Sequence, residues 1–297
     1  MPTWNGKTRG GEWGYLFFIY MIKHFGITSS YIFLRIVILH FILFAPKATA
    51  SIWIYARKIL KYNILESVRL LFCNYYRLGQ VLIDKVAIGN GMVDKYHFRF
   101  ESYQEFLDVL NGDQGVVMIG AHVGNWEIGA PFFDKYGKKI NILMYDSEHQ
   151  KIKELLKKKS ITADYKIIPV NEDDLTHVFK MMDALDKKEY VCFQGDRYVK
   201  KDKLLACSFM GNKAFFPAGP FILASRMKVP VAFYFATRES GKTYHFHFTL
   251  VNKIVQSKDK KLEQALLEQY VSALELILKQ YPEQWFNYYR FWDEPES

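Results

Sequence analysis

Cysteine is scarce in this sequence: Cys73, Cys192 and Cys207 are scattered through 297 residues with no CxxC spacing. That excludes a disulfide framework and a cysteine zinc site, and it predicts a reducing compartment, the cytoplasm, for the part of the chain that holds them. Internal repeats and low-complexity tracts are absent as well. So is any nucleic-acid recognition motif, and the aromatic residues lie in apolar runs instead of a basic stacking platform. The formal net charge of +9 therefore points to an anionic membrane face or an acidic protein or substrate ahead of nucleic acid. What the chain has in quantity is apolar and aromatic surface, 50% hydrophobic and 17% aromatic residues with 24 Phe and 20 Tyr. This rules out a disordered chain and exceeds the needs of an ordinary soluble core, so part of it is expected to meet lipid.

Tyr15 to Ile22 and Tyr31 to Ala45 are two apolar runs separated by a polar break. Neither has the basic start and small-residue close of a cleavable signal. The second run falls short of the roughly 20 residues that span a bilayer, and it carries Arg35 and His40. It predicts a helix lying in the interface or a short anchor, with a buried core helix as the alternative. From Pro46 to Lys85 apolar residues recur at helical spacing (Ile52, Tyr55, Ile59, then Leu65, Val68, Phe72, Tyr76) among Arg and Lys, as in basic amphipathic helices at a membrane surface.

Beyond Gly89 to Gly91 short apolar runs alternate with charged helical stretches, and the chain reads as α/β, a mixed central sheet flanked by helices. Strands are expected at Val116 to Ile119, Ile140 to Tyr145, Lys166 to Val170, Tyr190 to Phe193 and Val231 to Thr237, with Tyr244 to Val251 pairing back across a Ser240-Gly241 turn. Helices are expected near Glu127 to Tyr136, Ser147 to Lys159, Asp174 to Lys187 and Phe221 to Arg226. A last one runs from Leu262 to Tyr281 and is stopped by Pro282. Two regions follow: residues 1–90, helical and membrane-associating, and residues 91–297, an α/β catalytic domain.

The segment Gly120-Ala121-His122-Val123-Gly124-Asn125-Trp126-Glu127 falls between a predicted strand and a predicted helix, where loop side chains stand above a rigid sheet. Glycines 120 and 124 make a turn that lets His122 meet Glu127 feasible. A neutral imidazole is a suitable base near pH 7, and a carboxylate on its other nitrogen fixes the tautomer and stabilises the imidazolium. Such a pair activates an external hydroxyl or amine. The plainer alternative is a histidine and a carboxylate that only close a loop.

The blocks His122 to Glu127 (HxGNWE), Gln194-Gly195-Asp196-Arg197, Phe209-Met210-Gly211, Phe216-Pro217-Ala218-Gly219, Val229-Pro230 and Tyr281-Pro282-Glu283-Gln284-Trp285 occur in an order that resembles the late acyltransferases of lipid A biosynthesis. These belong to the broader glycerolipid acyltransferase superfamily, and the resemblance runs from about Trp13 to Trp292. Ala218 stands where the superfamily has Glu, and Tyr281 where the family has His. The resemblance implies His122 as general base, Glu127 as its orienting partner, and substrate contacts at Asn125, Asp196, Arg197, Gly211, Pro217 and Gly219. It implies an acyl-carrier-protein or acyl-CoA thioester as donor, a lipid hydroxyl as acceptor, no cofactor, and a place on the cytoplasmic face of the bacterial inner membrane. The favoured acceptor is a lipid A precursor, the alternatives an aminolipid, a lysophospholipid or an aryl-polyene. Hydrolysis of the thioester and a non-catalytic membrane-binding relative are the competing functions.

On residue types alone, Asn125 or backbone amides at the helix start are candidate oxyanion donors. Arg197 suits an anionic substrate group, or else ties to a structural carboxylate. His245 and His247 share a strand face, but with no third ligand nearby in sequence they predict a half-exposed strand and no metal site. The lysines at 151, 153, 157–159, 200, 201 and 203 predict a solvated surface that would also suit acidic carrier protein or anionic head groups.

Overall fold

A strand covered on both faces must be apolar at every position, and Val116–Gly120 (VVMIG) is buried throughout. The computed structural model, which describes residues 11–129, 137–145, 165–170, 175–198, 203–251 and 261–294, sets this strand, β2, at the centre of a seven-stranded sheet. The others are β1 (His97–Phe100), β3 (Ile140–Tyr145), β4 (Tyr165–Val170), β5 (Tyr190–Gln194), β8 (Val231–Arg238) and β9 (Thr243–Val251). Their order is β1-β9-β8-β2-β5-β3-β4, parallel throughout except at β8 and β9, so the sheet is mixed. The remaining strands, β6 (Leu204–Phe209) and β7 (Asn212–Pro217), form a separate antiparallel hairpin that the sequence patterning did not indicate. Its turn needs left-handed backbone at both central residues, Met210 (φ 52) and Gly211 (φ 74).

The period of two along the strands divides the core. Val117, Ile119, Val191, Phe193, Phe233 and Phe235 face one cluster, which the helix at Leu262–Gln280 completes with Leu266, Tyr270, Leu274 and Leu278. Val116, Met118, Tyr190, Cys192, Tyr234 and Ala236 face the other, which takes Phe106 and Leu110 from a helix at Tyr103–Asn111 and a long row from the N-terminal helices. The expected helix beginning at Asp174 is Thr176–Asp186, and that at Phe221 is Ala218–Arg226. The expected helix from Glu127 is seen as a short 3-10 turn, Trp126–Gly129, with its continuation outside the described residues; the one at 147–159 lies wholly outside them.

The two N-terminal apolar runs lie on two successive helical segments within Gly11–Phe44, together called α1, joined by a kink at Gly26, whose φ of 82 and ψ of 169 are not helical. The break expected between the two runs falls at this kink, while Lys23, His24 and Thr28-Ser29-Ser30 on either side of it are themselves helical. Leu16–Phe44, 29 residues, is long and apolar enough to cross a membrane by length and composition. One side of α1, with Ile27, Tyr31, Leu34 and Ile38 at helical spacing, is buried. Leu34 sits against α3 (Ile64–Gly89) at Gly79, where a Cβ would lie 2.4 Å from the leucine Cδ1, so a larger residue there would push the leucine side chain aside. The Ile32, Ile36, Leu39 and Leu43 side is exposed.

Between them, α2 (Pro46–Ile54) starts on proline at its first turn, and α3 starts on a capping box: Asn63 Oδ1 accepts from the Glu66 N–H at 2.9 Å, and Glu66 Oε2 accepts from the Asn63 N–H at 2.8 Å. The apolar stripe expected on α3 is not its buried face. Leu65 (82% exposed), Val68 and Phe72 point outward, whereas Leu70, Leu71, Tyr75 and Ile83 are buried. Helix α3 has two apolar sides at its start, and periodicity alone does not say which one meets protein.

Candidate functional site

The carboxyl ends of β2 and β5 lie side by side, Gly120 against Gln194, so the chain leaving β2 and the chain leaving β5 emerge together. This is where open α/β sheets place ligands. After β2 the chain makes the turn from Ala121 to Asn125, clamped from both sides. The Gly124 N–H donates to the Gln284 carbonyl at 2.9 Å, the Asn125 N–H to the Ala236 carbonyl at 2.8 Å, and the Phe286 N–H to the His122 carbonyl at 2.8 Å. Gly124 has φ 59, and a Cβ there would come within 2.0 Å of the Ala236 carbonyl oxygen, so the turn requires glycine.

His122 projects from this turn with its side chain 24% exposed. Its Nδ1 lies 2.7 Å from Asp196 Oδ1, and its backbone N–H donates to Oδ2 of the same carboxylate at 3.0 Å. Trp285 Nε1–H donates to Oδ2 as well, at 3.0 Å. Asp196 is fully buried; burial alone would raise its pKa, but the His122 charge and hydrogen bond, Arg197 and the Trp285 hydrogen bond together hold it below the usual carboxylate range. An ionised carboxylate that accepts from Nδ1–H leaves Nε2 as the unprotonated nitrogen of the neutral ring.

The partner expected for His122 was Glu127, and here the structure differs. The carboxylate on Nδ1 is Asp196, 74 residues away in sequence, while Glu127 pairs with Lys85 of α3 at 3.0 Å, both side chains about one-third exposed. The reason is topological: the tight turn fixed by Gly124 faces His122 toward the end of β5, and Glu127 falls in the 3-10 turn that follows. Glu127 instead borders a small cavity, about 20 Å³, whose walls include Met118, Trp126, Ile142, Tyr165, Gln194 and Tyr234. Cys192 is also in its wall, with burial pushing the thiol up to about 12, so it is no thiolate nucleophile at neutral pH.

Asn125 is 1% exposed. The backbone amides of His122, Gly124 and Asn125 are all taken within the fold, so none of these three is free to meet an oxyanion. Arg197 donates to the Phe286 carbonyl at 2.8 Å, and its charge also acts on the buried Asp196 carboxylate. Gly211 occupies the hairpin turn, and Pro217 and Gly219 start the Ala218–Arg226 helix. These blocks connect to the site through aromatic packing. Phe209 lies edge-on to Trp285 with centroids 5.6 Å apart, Phe216 packs on Phe291 and Phe291 on Trp285, each at 5.2 Å. They buttress the indole that holds Asp196.

A second polar cluster escaped the sequence altogether. Asp84 of α3, fully buried, accepts from the hydroxyls of Tyr31, Tyr96 (2.9 Å) and Tyr244 (2.5 Å) and from Arg238 Nε at 2.8 Å. Gln284 then bonds both the N–H and the carbonyl of Arg238, at 2.7 and 2.8 Å. A chain of bonds therefore joins α1 to the backbone that clamps the His122 turn.

The model of the bacterial lipid A biosynthesis acyltransferase family matches residues 74–293, well over half of the chain and including both the His122 turn and the Asp196 block. A comparison with curated proteins gave no match.

Proposed function

The chain belongs to the bacterial lipid A biosynthesis acyltransferases, enzymes that acylate a lipid A-type acceptor, and from that premise we propose that His122 is the general base of the transfer and Asp196 its orienting carboxylate. The acyl donor is a thioester of acyl-carrier protein or CoA, and the acceptor group is a hydroxyl. His122 Nε2 takes the hydroxyl proton as the oxygen attacks the thioester carbonyl carbon. The tetrahedral oxyanion then collapses, the C–S bond breaks, and the departing sulfur takes the proton back from the imidazolium. The products are an ester and a thiol. Asp196 holds Nδ1–H throughout and stabilises the transient imidazolium, as a buried carboxylate does for a catalytic histidine elsewhere.

The observation that carries this reading is the 2.7 Å contact of a fully buried, ionised Asp196 with the Nδ1 of a partly exposed His122. Glu127, tied to Lys85 at the cavity edge, is assigned to shaping the substrate side. The outward apolar faces of α1 and of the start of α3 support membrane attachment, which brings the site to a lipid acceptor.

The test is lipid mass spectrometry of a strain lacking the protein, complemented with the wild-type chain or with His122→Ala. Restoration of an acylated lipid A-type species by wild type alone is the expected result. Restoration by His122→Ala at equal expression contradicts the role of the histidine, and accumulation of free fatty acid without acylated lipid indicates a thioesterase.

A further inference from the structure

Strand β9 places His245 and His247 on the same face, two residues apart. The third donor missing from the local sequence comes from the other end of the domain. β1 pairs in parallel with β9, Arg99 against His245 and Phe100 against Phe246, so the next residue, Glu101, arrives beside His247. His247 Nδ1 lies 2.7 Å from Glu101 Oε2, the two imidazole centroids are 4.3 Å apart, and one ligand atom from each of Glu101, His245 and His247 falls within 4.8 Å of the others.

We propose that Glu101, His245 and His247 form a divalent transition-metal site, with zinc the expected ion. Two imidazoles and one carboxylate are the donor types zinc takes, and a tetrahedral shell with bonds of about 2.0–2.2 Å puts donor atoms about 3.3–3.6 Å apart, so the Glu101–His247 contact opens and the wider spacings close when the ion enters. Glu101, whose side chain is 60% exposed, is free to make that adjustment, and it gives the ion a path from solvent and a water the fourth position. Both rings have the outer partners that metal-ligating histidines carry. Thr237 Oγ1 lies 2.9 Å from His247 Nε2, and Glu239 Oε1 lies 3.2 Å from His245 Nδ1, which leaves one nitrogen of each ring for the ion. Glu239 is itself fixed, by Arg99 on one oxygen at 3.2 Å and by the Tyr281 hydroxyl on the other at 3.1 Å. The ion would tie β1 to β9, and through Thr237 and Glu239 to the end of β8, whose Ala236 carbonyl clamps the His122 turn.

The experiment uses the full chain in detergent, without a histidine tag and stripped of metal, titrated with Zn²⁺ and separately with Co²⁺. One Zn²⁺ bound per chain at micromolar concentration, a tetrahedral Co²⁺ absorption band and a raised Tm are expected. Glu101→Gln and His245→Asn, both at accessible positions, should each weaken Zn²⁺ binding at least tenfold while leaving the Tm of the metal-free protein unchanged. The site is overturned by absence of binding at micromolar Zn²⁺, or by equal binding in wild type and both variants. Because none of these residues touches His122 or Asp196 in the proposed reaction, the metal result and the acyl-transfer result fail independently.

Discussion

Asp196 and Asp84 are both fully buried and both are met by several donors, yet their bonds lead to opposite places. All four donors to Asp84, three tyrosine hydroxyls and the Arg238 guanidinium, are packed inside the fold. Asp196 passes its charge to an imidazole whose far side reaches the surface. Burying a carboxylate costs several kcal/mol unless charge and hydrogen bonds compensate it. At Asp84 the compensation is complete and internal, so the group joins helix to sheet. At Asp196 part of it comes from a ring that is partly exposed, as the proposed role of orienting carboxylate requires.

That contrast is open to being broken. The largest effect is expected at Asp84, where substitution by Asn turns an acceptor toward four donors into a mixed group and leaves Arg238 without its counterion. Denaturant unfolding in detergent should show a loss of about 3–5 kcal/mol, with activity falling only as the folded fraction falls. A variant as stable as wild type but inactive would move Asp84 into the chemistry and erase the distinction.

A smaller effect is expected in acid. The native pKa of Asp196 lies below its ordinary value, so the carboxylate contributes stability that is complete above the ordinary carboxylate pKa and is lost as pH falls through the depressed one. Asp196→Asn should therefore flatten the acid limb of the stability curve relative to wild type. An unchanged limb would mean that the native carboxylate gains nothing from its partners. His247 has the same sign from the other direction. Its native pKa is depressed, so its stabilising contribution is complete above the ordinary value of 6.5 and declines as pH drops through the native one. Loss of stability between neutral pH and mild acid, reduced in His247→Asn, is the expected signature.

The sequence was most legible where one local signal sufficed. Strands such as Val116–Gly120 and Val231–Arg238 announced themselves as apolar β-branched and aromatic runs, and Pro282 marked the end of the last long helix within two residues. The hairpin from Leu204 to Pro217 went unseen because its turn is Met210-Gly211, outside the usual Asn-Gly or Asp-Gly signals. At the site, the HxGNWE segment pointed to His122 correctly as a residue above the sheet, but it named the carboxylate nearest in sequence. Which carboxylate reaches Nδ1 depends on the pairing of β2 with β5, and strand pairing is a long-range property that a single sequence does not encode locally. The Asp84 network and the approach of Glu101 to His247 were hidden for the same reason, since the Asp84–Arg238 and Glu101–His247 contacts each join residues more than 140 positions apart. The departure at Tyr281 acquires a physical place as well: its hydroxyl holds Glu239 beside the two histidines.

Asp196→Asn and Glu127→Gln, compared as purified folded proteins in a thioester-dependent acyl-transfer assay, test the central claim most directly. Asn at 196 presents an amide where Nδ1–H needs an acceptor, so the tautomer is lost and kcat should fall by about 10²- to 10⁴-fold with an unchanged fold. Glu127→Gln, which removes only the charge facing Lys85, should fall by a smaller factor. Near wild-type turnover in Asp196→Asn alongside an inactive Glu127→Gln would contradict the account and return the role of orienting carboxylate to Glu127.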